Sequence, residues 1–275
     1  MKKLVILLLS PLVNIFIFFF SLKKIQILLD LILHVVLKAK GFKNFGNFYL
    51  SGERNVLNFI KRFNLDYSLD IGANTGAYTE KLLRITKTKI ICFEPSKDSF
   101  RELKKLKKKY PKKIIIFNNA LSDKSEILNF YKAGKSSQLA SFEKNIKNFS
   151  YVDKKEVVRS KIKCQRGDNF ISKINFNGRI DFIKVDTEGH DFKVLKGLIK
   201  TIKKHNTKFI QFEMNWHNLF NGQNLFKISS NFKGYNIYRI LPYSSGLIKV
   251  NPSHPDNNFF HLSNYLLVRK DIKIN

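Results

Sequence analysis

Two short stretches of this chain hold residue types that could do chemistry together. The first is Leu69-Asp70-Ile71-Gly72-Ala73-Asn74-Thr75-Gly76. Its apolar start reads as a strand end, two glycines turn the backbone, and a helix pattern follows. Gly72 and Gly76 would let the main chain approach a ligand closely, and the helix start offers free N–H groups to an anion. A dinucleotide fingerprint needs G-x-G-x-x-G; here the spacing is G-x-x-x-G, with an acid two residues before the first glycine. Asp70 would repel a pyrophosphate but pair, directly or through water, with an ammonium group. The bland alternative is an ordinary glycine turn. The second stretch is Ile180-Asp181-Phe182-Ile183-Lys184-Val185-Asp186-Thr187-Glu188-Gly189-His190-Asp191. Asp186, Glu188, His190 and Asp191 gather at the end of an apolar run, where open α/β sheets place their reacting groups. Asp, Glu or His can each take a proton from a hydroxyl. Glu188 or His190 is the expected base, with Asp186 positioning. A metal held by these side chains and Glu213 is the competing chemistry. No second ligand group is evident elsewhere, so no metal site is assigned. Glu188 capping the next helix, with Asp191 solvated, is the structural alternative.

Between these stretches lie two further strand ends. Cys92-Phe93-Glu94-Pro95 comes eighteen residues past Gly76, and a carboxylate there can accept both hydroxyls of a ribose. Glu94 could instead only cap the following helix, a task open to Ser96 as well. Next comes Asn118-Asn119-Ala120-Leu121-Ser122-Asp123, where an adenine edge could sit at Asn119 and Ala120. Three successive strand tips offering amino-acid, ribose and base contacts fit S-adenosylmethionine, with Asp70, Gly72, Asn74, Gly76, Glu94, Asn119 and Ala120 as its candidate ligands.

Such tips need a parallel sheet to align them. Tyr67 to Ile71, Lys89 to Phe93, Lys113 to Phe117, Ile180 to Val185 and Phe209 to Phe212 are apolar runs of strand length. Helical spacing separates them, as in Phe100, Leu103, Leu106 and Tyr110 or Val194, Leu195, Leu198, Ile199 and Ile202. Alternating units of this kind predict a mostly parallel twisted sheet with helices on both faces. The 63 residues from Phe117 to Ile180 exceed one crossover, and Glu126 to Tyr131 and Val158 to Cys164 read as an inserted β excursion at the sheet rim. Tyr235 to Ile240 and Tyr265 to Val268 read as a terminal antiparallel pair.

Taken together, Asp70-Ile71-Gly72-Ala73-Asn74-Thr75-Gly76, Phe93-Glu94-Pro95, Asn119-Ala120-Leu121-Ser122-Asp123, Lys184-Val185-Asp186-Thr187-Glu188-Gly189-His190 and Val194-Leu195-Lys196-Gly197 resemble the FkbM family of methyltransferases. The resemblance covers roughly Ser51 to Lys270. It implies a Rossmann-like class I α/β fold, S-adenosylmethionine as donor and a hydroxyl acceptor on a sugar, glycan or other small molecule. By that resemblance Gly72, Asn74 and Gly76 hold the methionine portion, Glu94 holds the ribose, and Asp186 and Glu188 lie beside the transferring methyl. Arg166-Gly167-Asp168-Asn169-Phe170 departs from the family, which usually has Leu-Asp before two apolar residues.

Composition frames these readings. Hydrophobic residues at 44% and charged ones at 26% are globular values, and two cysteines exclude a disulfide scaffold. The formal charge is +29, a field that attracts nucleic acid, anionic lipid or an anionic substrate. Lysines spread along the whole chain favour a compositional bias, although Lys97 to Lys113 holds nine basic residues against Asp98 and Glu102. A nucleic-acid methyltransferase is the second reading. It is disfavoured because the strand tip is Asp-Thr-Glu-Gly, with no Asn/Asp-Pro-Pro-aromatic loop and no cysteine beside a proline. A non-catalytic membrane-bound binding protein is the third, opposed by the intact Asp70, Gly72, Gly76 and Glu94 set. Residues 51–275 form the expected catalytic domain, and residues 1–50 a hydrophobic helical segment. Leu4 to Leu22 carries no charge over nineteen residues and is followed by Lys23 and Lys24. Membrane association through residues 4–37 is expected, as a span or a monotopic hairpin, with the body at the cytoplasmic face. Helices packed on the domain, or a cleaved signal lacking a small-x-small site, are the alternatives, and a plainly cytoplasmic protein follows from the first of these.

Overall fold

A computed structural model describes residues 2–43, 47–133, 140–142, 157–243 and 245–274. Helices α1 (Lys2–Phe20) and α2 (Gln26–Ala39) come first, then α3 (Glu53–Ile60). The body alternates β1 (Tyr67–Ile71), α4 (Ala77–Thr86), β2 (Lys89–Phe93), α5 (Lys97–Lys109) and β3 (Ile114–Phe117). An excursion follows through β4 (Ala120–Ser122), β5 (Glu126–Ala133), β6 (Ala140–Ser141) and β7 (Val157–Arg166). Alternation resumes with α6 (Gly167–Ile171), β8 (Ile180–Val185), α7 (Asp191–Gly197), α8 (Ile199–His205) and β9 (Phe209–Met214). The chain closes with α9 (His217–Phe220), α10 (Leu225–Asn231), β10 (Tyr235–Ile240), β11 (Leu247–Lys249) and β12 (Ser263–Arg269).

The main sheet has eight strands in the order β11-β10-β12-β9-β8-β1-β2-β3. Its parallel half is β9, β8, β1, β2 and β3, and the two pairings of β1 run outward in opposite directions along the sheet. That reversal opens a crevice at the carboxyl ends of β1 and β8, the usual ligand position in open α/β sheets. Strand β12 pairs antiparallel with both β9 and β10, so the terminal pair is part of the same sheet. Because side chains alternate along a strand, each face has its own core. Leu69, Ile71, Ile183, Val185, Ile210 and Phe212 pack under α7, α8 and α10. Ile90, Cys92, Phe182, Phe209, Leu266 and Val268 pack under α3, α4 and α5.

The excursion is larger than a rim decoration. It forms a second sheet ordered β4-β7-β5-β6, in which β4 pairs parallel with β7. Ala120, expected at a free strand tip, therefore starts a strand and is buried opposite Cys164. The departing segment at Arg166 is put to structural use. Asp168 is buried and accepts from the Thr201 backbone N–H and hydroxyl at 2.8 and 2.9 Å, tying α6 to α8.

Among the described residues, no helix is long and apolar enough to cross a membrane, so the spanning form of the amino-terminal expectation is not carried by them. Helix α2 is largely exposed until Leu37, which is buried, and Phe42 is fully buried against the domain.

Candidate active site

Strand β1 ends at Ile71, and the turn after it is sewn to the tip of β2. The Gly72 and Ala73 N–H groups both donate to the Phe93 carbonyl, at 2.9 and 3.0 Å. The Asn74 N–H donates to Glu94 Oε2 at 2.8 Å, and the Ser96 N–H to Glu94 Oε1 at 2.7 Å. Glu94 thus does serve the start of α5, as one reading expected, yet it also shapes the glycine turn. Each carboxylate oxygen keeps acceptor capacity beyond these bonds. Burial is the main cause that pushes its carboxyl up to about 7, against the pull of the two N–H groups. Asn118 donates to the Glu94 carbonyl at 2.8 Å and fixes the same tip from the next loop. Helix α4 starts with no side chain capping it, so first-turn N–H groups remain for a ligand beside Glu94.

The two glycines have a different use from the one their spacing suggests. Both take positive φ, 84° at Gly72 and 88° at Gly76. A Cβ at Gly72 would stand 1.9 Å from the Asp186 carbonyl oxygen. One at Gly76 would meet Leu106 and Leu103 at 2.7 and 2.9 Å. Protein atoms, and not open ligand space, fill the side where a Cβ would point. Gly72 is the contact through which the turn after β1 abuts the tip of β8. A side chain at Gly76 displaces α5, so substitution there tests packing before it tests donor contact.

Below this turn runs a buried polar row. Asp70 stands beside Lys184 on β8, and Lys184 beside Gln211 on β9, all on the face covered by α3 and α4. The Lys184 ammonium lies 2.8 Å from Asp186 Oδ2, 3.9 Å from Glu53 Oε1 and 4.5 Å from the Tyr78 ring centre. Tyr78 donates to Gln211 at 2.8 Å, and Gln211 donates to Glu53 at 3.3 Å. Thr79 donates to Asp70 Oδ2 at 2.5 Å, while Asp70 Oδ1 is buried with no hydrogen-bond partner. Burial alone would push the lysine ammonium down; Asp186, Glu53 and Asp70 outweigh it and hold the ammonium above its usual range. Burial pushes the carboxyls of Glu53 and Asp70 up, and Lys184 opposes this. Lys184 belongs to a motif quoted from the sequence but was given no role there, and Glu53 was not singled out. A lysine inside Ile183-Lys184-Val185 was the available signal, since a strand buried on both faces has no solvent for it. Glu53 had none, because its partner lies far along the chain.

At the tip of β8, Glu188 takes φ of 51°. Asp191 braces the turn: its Oδ2 accepts from the Thr187 N–H at 3.0 Å and hydroxyl at 2.7 Å, and its Oδ1 from the Glu213 N–H at 3.1 Å. Burial, then the neighbouring Asp186 and Asp191, push the Glu188 carboxyl well up. Glu213 is pushed well up by burial and then by Glu188, Asp186 and Asp191. His190 faces elsewhere. Its Nε2 shares a hydrogen bond with the Ser122 hydroxyl at 2.9 Å, and its ring lies 4.7 Å from that of Phe142. Burial, then Lys193, depress it to about 3. The structure therefore places Asp70, Gly72, Glu94, Asp186 and Glu188 at the neighbouring carboxyl ends of β1, β2 and β8 and turns His190 toward the second sheet. Asn119, half-buried, lies between Asn118 and the start of β4. Among the described residues, no group of three or more His, Cys, Asp or Glu side chains is placed to hold a metal ion.

Comparison with known proteins adds the following. The profile of the family described as Methyltransferase FkbM domain matches residues 70–241. Hexuronic acid methyltransferase AglP of Haloferax volcanii is 26% identical over 167 residues, 59% of this chain and 63% of that protein. The chain thus spans under two thirds of that relative's length. Among solved structures, precorrin-6y C5,15-methyltransferase from Geobacter metallireducens superposes with a TM-score of 0.41 at 11% identity, over 83% of this chain and 94% of that one. A SAM dependent methyltransferase from Aquifex aeolicus gives 0.40 at 10% identity, over 85% and 90%. The fold rests on the chain's own topology and its family match.

Proposed function

The chain belongs to the methyltransferase FkbM domain family, and from that premise we propose that it methylates a hydroxyl on a sugar, glycan or other small molecule. Its methyl donor is S-adenosylmethionine, which supplies an electrophilic methyl on a sulfonium centre. The residues present fit that donor. Asp70 offers a buried oxygen without a partner, Glu94 retains acceptor capacity, and the uncapped start of α4 lies beside them. Asn119, half-buried, is the proposed base contact, while Ala120 is buried in β4. The remaining work for the protein is to orient an acceptor oxygen and remove its proton.

One observation carries the reading. The Asp186 backbone packs directly on Gly72 of the donor turn, while the Asp186 side chain is held by the Lys184 ammonium at 2.8 Å. This sets a fixed carboxylate at the junction of donor and acceptor sides. We assign Asp186 as the group that accepts the hydroxyl proton. Glu188, whose carboxyl is pushed well above its ordinary value by burial and then by Asp186 and Asp191, is assigned as a hydrogen-bond partner of the acceptor. His190, neutral and bonded to Ser122, supports the β4–α7 junction. The relative named for hexuronic acid supports a sugar acceptor.

The donor side is tested by Glu94→Gln. An amide nitrogen would face an N–H donor and lose one acceptor for ribose, so donor affinity should fall by roughly tenfold or more. Its pH dependence has a definite sign. With the carboxyl at about 7 before the donor binds, and the ionised form binding best, affinity rises with pH. From pH 6 to pH 8 calorimetry should show a gain of about tenfold. Stability moves the other way: a carboxyl raised above its unfolded value makes the unliganded fold less stable as pH rises toward 7. Glu94→Gln should flatten both profiles. A wild-type affinity independent of pH would remove Glu94 from the donor site.

The amino-terminal helices are proposed to hold the enzyme at the cytoplasmic face of a membrane. Deleting residues 1–35 keeps Leu37 and Phe42, which pack on the domain. The shortened chain should leave the membrane pellet and bind donor unchanged. Pelleting of the full chain should survive high salt, because screening weakens surface charge but not an embedded helix. Loss of donor binding on deletion would instead make the helices part of the fold.

A further inference from the structure

Among the described residues outside the second sheet, where Ile127 and Val158 are exposed, the exposed apolar side chains of the domain gather at one end of the main sheet, the end that holds the site. Strand β12 runs antiparallel to β9, with Ser263 opposite Met214, so Leu262 lies at the carboxyl edge of the parallel strands. Ile240 ends β10 at that edge too, because Arg239 pairs with Tyr265. The chain leaves α2 against these residues. A Cβ at Gly41 would meet the Ile240 carbonyl at 2.5 Å, and the Lys43 N–H donates to the Leu262 carbonyl at 2.7 Å. Phe42, fully buried, stacks edge-on with Phe259 at 5.3 Å and under the Arg239 guanidinium at 4.3 Å. The apolar helices are therefore fastened at the catalytic edge.

Other segments at that edge expose apolar side chains without help from those helices. Tyr49 and Tyr243 meet at one backbone hydrogen bond, and Leu219, Phe226 and Phe259 sit in the connections after β9 and before β12. All five are exposed, as are Phe18 at 70% and Ile27 at 82% on the two helices. The opposite end of the sheet is more polar: its concavity is lined by Asp66, Lys87, Lys89, Lys113 and Asn177 together with Gly178 and the buried Leu65 and Tyr67. Soluble surfaces rarely gather apolar groups this way without a partner. Charge identifies the partner. Residues 1–50 hold seven lysines and a single acid, Asp30, so the apolar helices come with cations suited to anionic headgroups. Tyrosines at the rim suit the interface between headgroups and chains.

We propose that the catalytic edge docks on an anionic bilayer and that the acceptor is a sugar carried on a lipid. The proposal rests on the methyl-transfer reading above and deepens it. Helices α1 and α2 lie in the interface, the rim of Tyr49, Leu219, Phe226, Tyr243 and Phe259 follows, and the crevice opens toward the headgroups. A hydroxyl on a lipid-borne sugar reaches Asp186 directly, whereas a free sugar has to pass between edge and membrane.

The test uses the full chain with single reporter thiols, since Cys92 and Cys164 are both buried. Leu219→Cys and Tyr243→Cys report on the catalytic edge, and Asn177→Cys on the opposite end. Each carries an environment-sensitive fluorophore and is mixed with vesicles of phosphatidylglycerol and phosphatidylcholine containing a nitroxide-quencher lipid. Labels at 219 and 243 should shift to the blue and lose emission to the quencher, while the label at 177 does neither. Edge labels that stay in water on vesicle-bound protein overturn the docking. So does a blue shift without vesicles that grows with protein concentration, which means a second copy covers the edge. The same preparations are titrated with S-adenosylmethionine. Donor binding with water-exposed edge labels discards the docking and leaves methyl transfer standing; failure to bind donor discards the methyl-transfer reading itself. With labelled donor, transferred methyl should enter the organic phase of a cellular lipid extract; label confined to lipid-free glycans overturns the lipid-borne acceptor.

Discussion

Replacing Lys184 with methionine should cost about 3–5 kcal/mol of folding stability, the range for removing one partner of a buried ion pair. The ammonium is 4% exposed as a residue and serves three carboxylates, Asp186, Glu53 and Asp70. Methionine fills similar space but leaves those acids without a cation. The pH dependence separates this from a packing defect. In wild type the lysine is held above its ordinary value, so its contribution is complete below about pH 10 and disappears only as pH rises beyond it. In the variant the stranded carboxyls titrate high, so stability falls as pH rises from about 4 toward neutrality. Urea titrations at acidic and neutral pH should therefore show a deficit that grows with pH. Adding Glu53→Gln should recover part of it. A variant within about 1 kcal/mol of wild type at neutral pH would mean that the row is solvated and that Lys184 does not hold Asp186.

The second large effect is on turnover. Asp186→Asn should lower kcat by roughly 10²–10⁴, the range for a lost general base. Donor affinity should stay close to wild type, because the proposed donor contacts are Asp70, Glu94, Asn119 and the start of α4. An asparagine side chain preserves shape at the Gly72 contact, which is made by the Asp186 backbone. Weaker donor binding with unchanged kcat would move Asp186 to the donor side.

Most of the sheet was legible because alternation and length are local signals. Tyr67–Ile71, Lys89–Phe93, Ile180–Val185 and Tyr235–Ile240 occur as strands with the bounds their apolar runs suggest. Strands β4 and β11, three residues each, were not, since so short a run has no period and exists only through its partners Cys164 to Arg166 and Tyr238 to Ile240. The site divides along the same line. Asp186 and Glu94 stand where strand ends had to be. The direction of a side chain is a tertiary fact: His190 follows Glu188 by two residues, yet packs against Ser122 on another sheet. The glycines show the limit from the other side. Their spacing marked a tight turn, and what presses on that turn is Asp186, Leu103 and Leu106, which spacing alone does not reveal.

Transfer of a methyl from S-adenosylmethionine to a sugar hydroxyl can be measured as such. The most direct measurement incubates the full chain with methyl-labelled donor and, in parallel, cell-envelope glycans, lipids and RNA, then treats each labelled product with mild base. Label should enter a sugar-containing fraction and stay there under base, as a methyl ether does. Label in RNA, or label on sugar released by base as a methyl ester, would contradict that transfer.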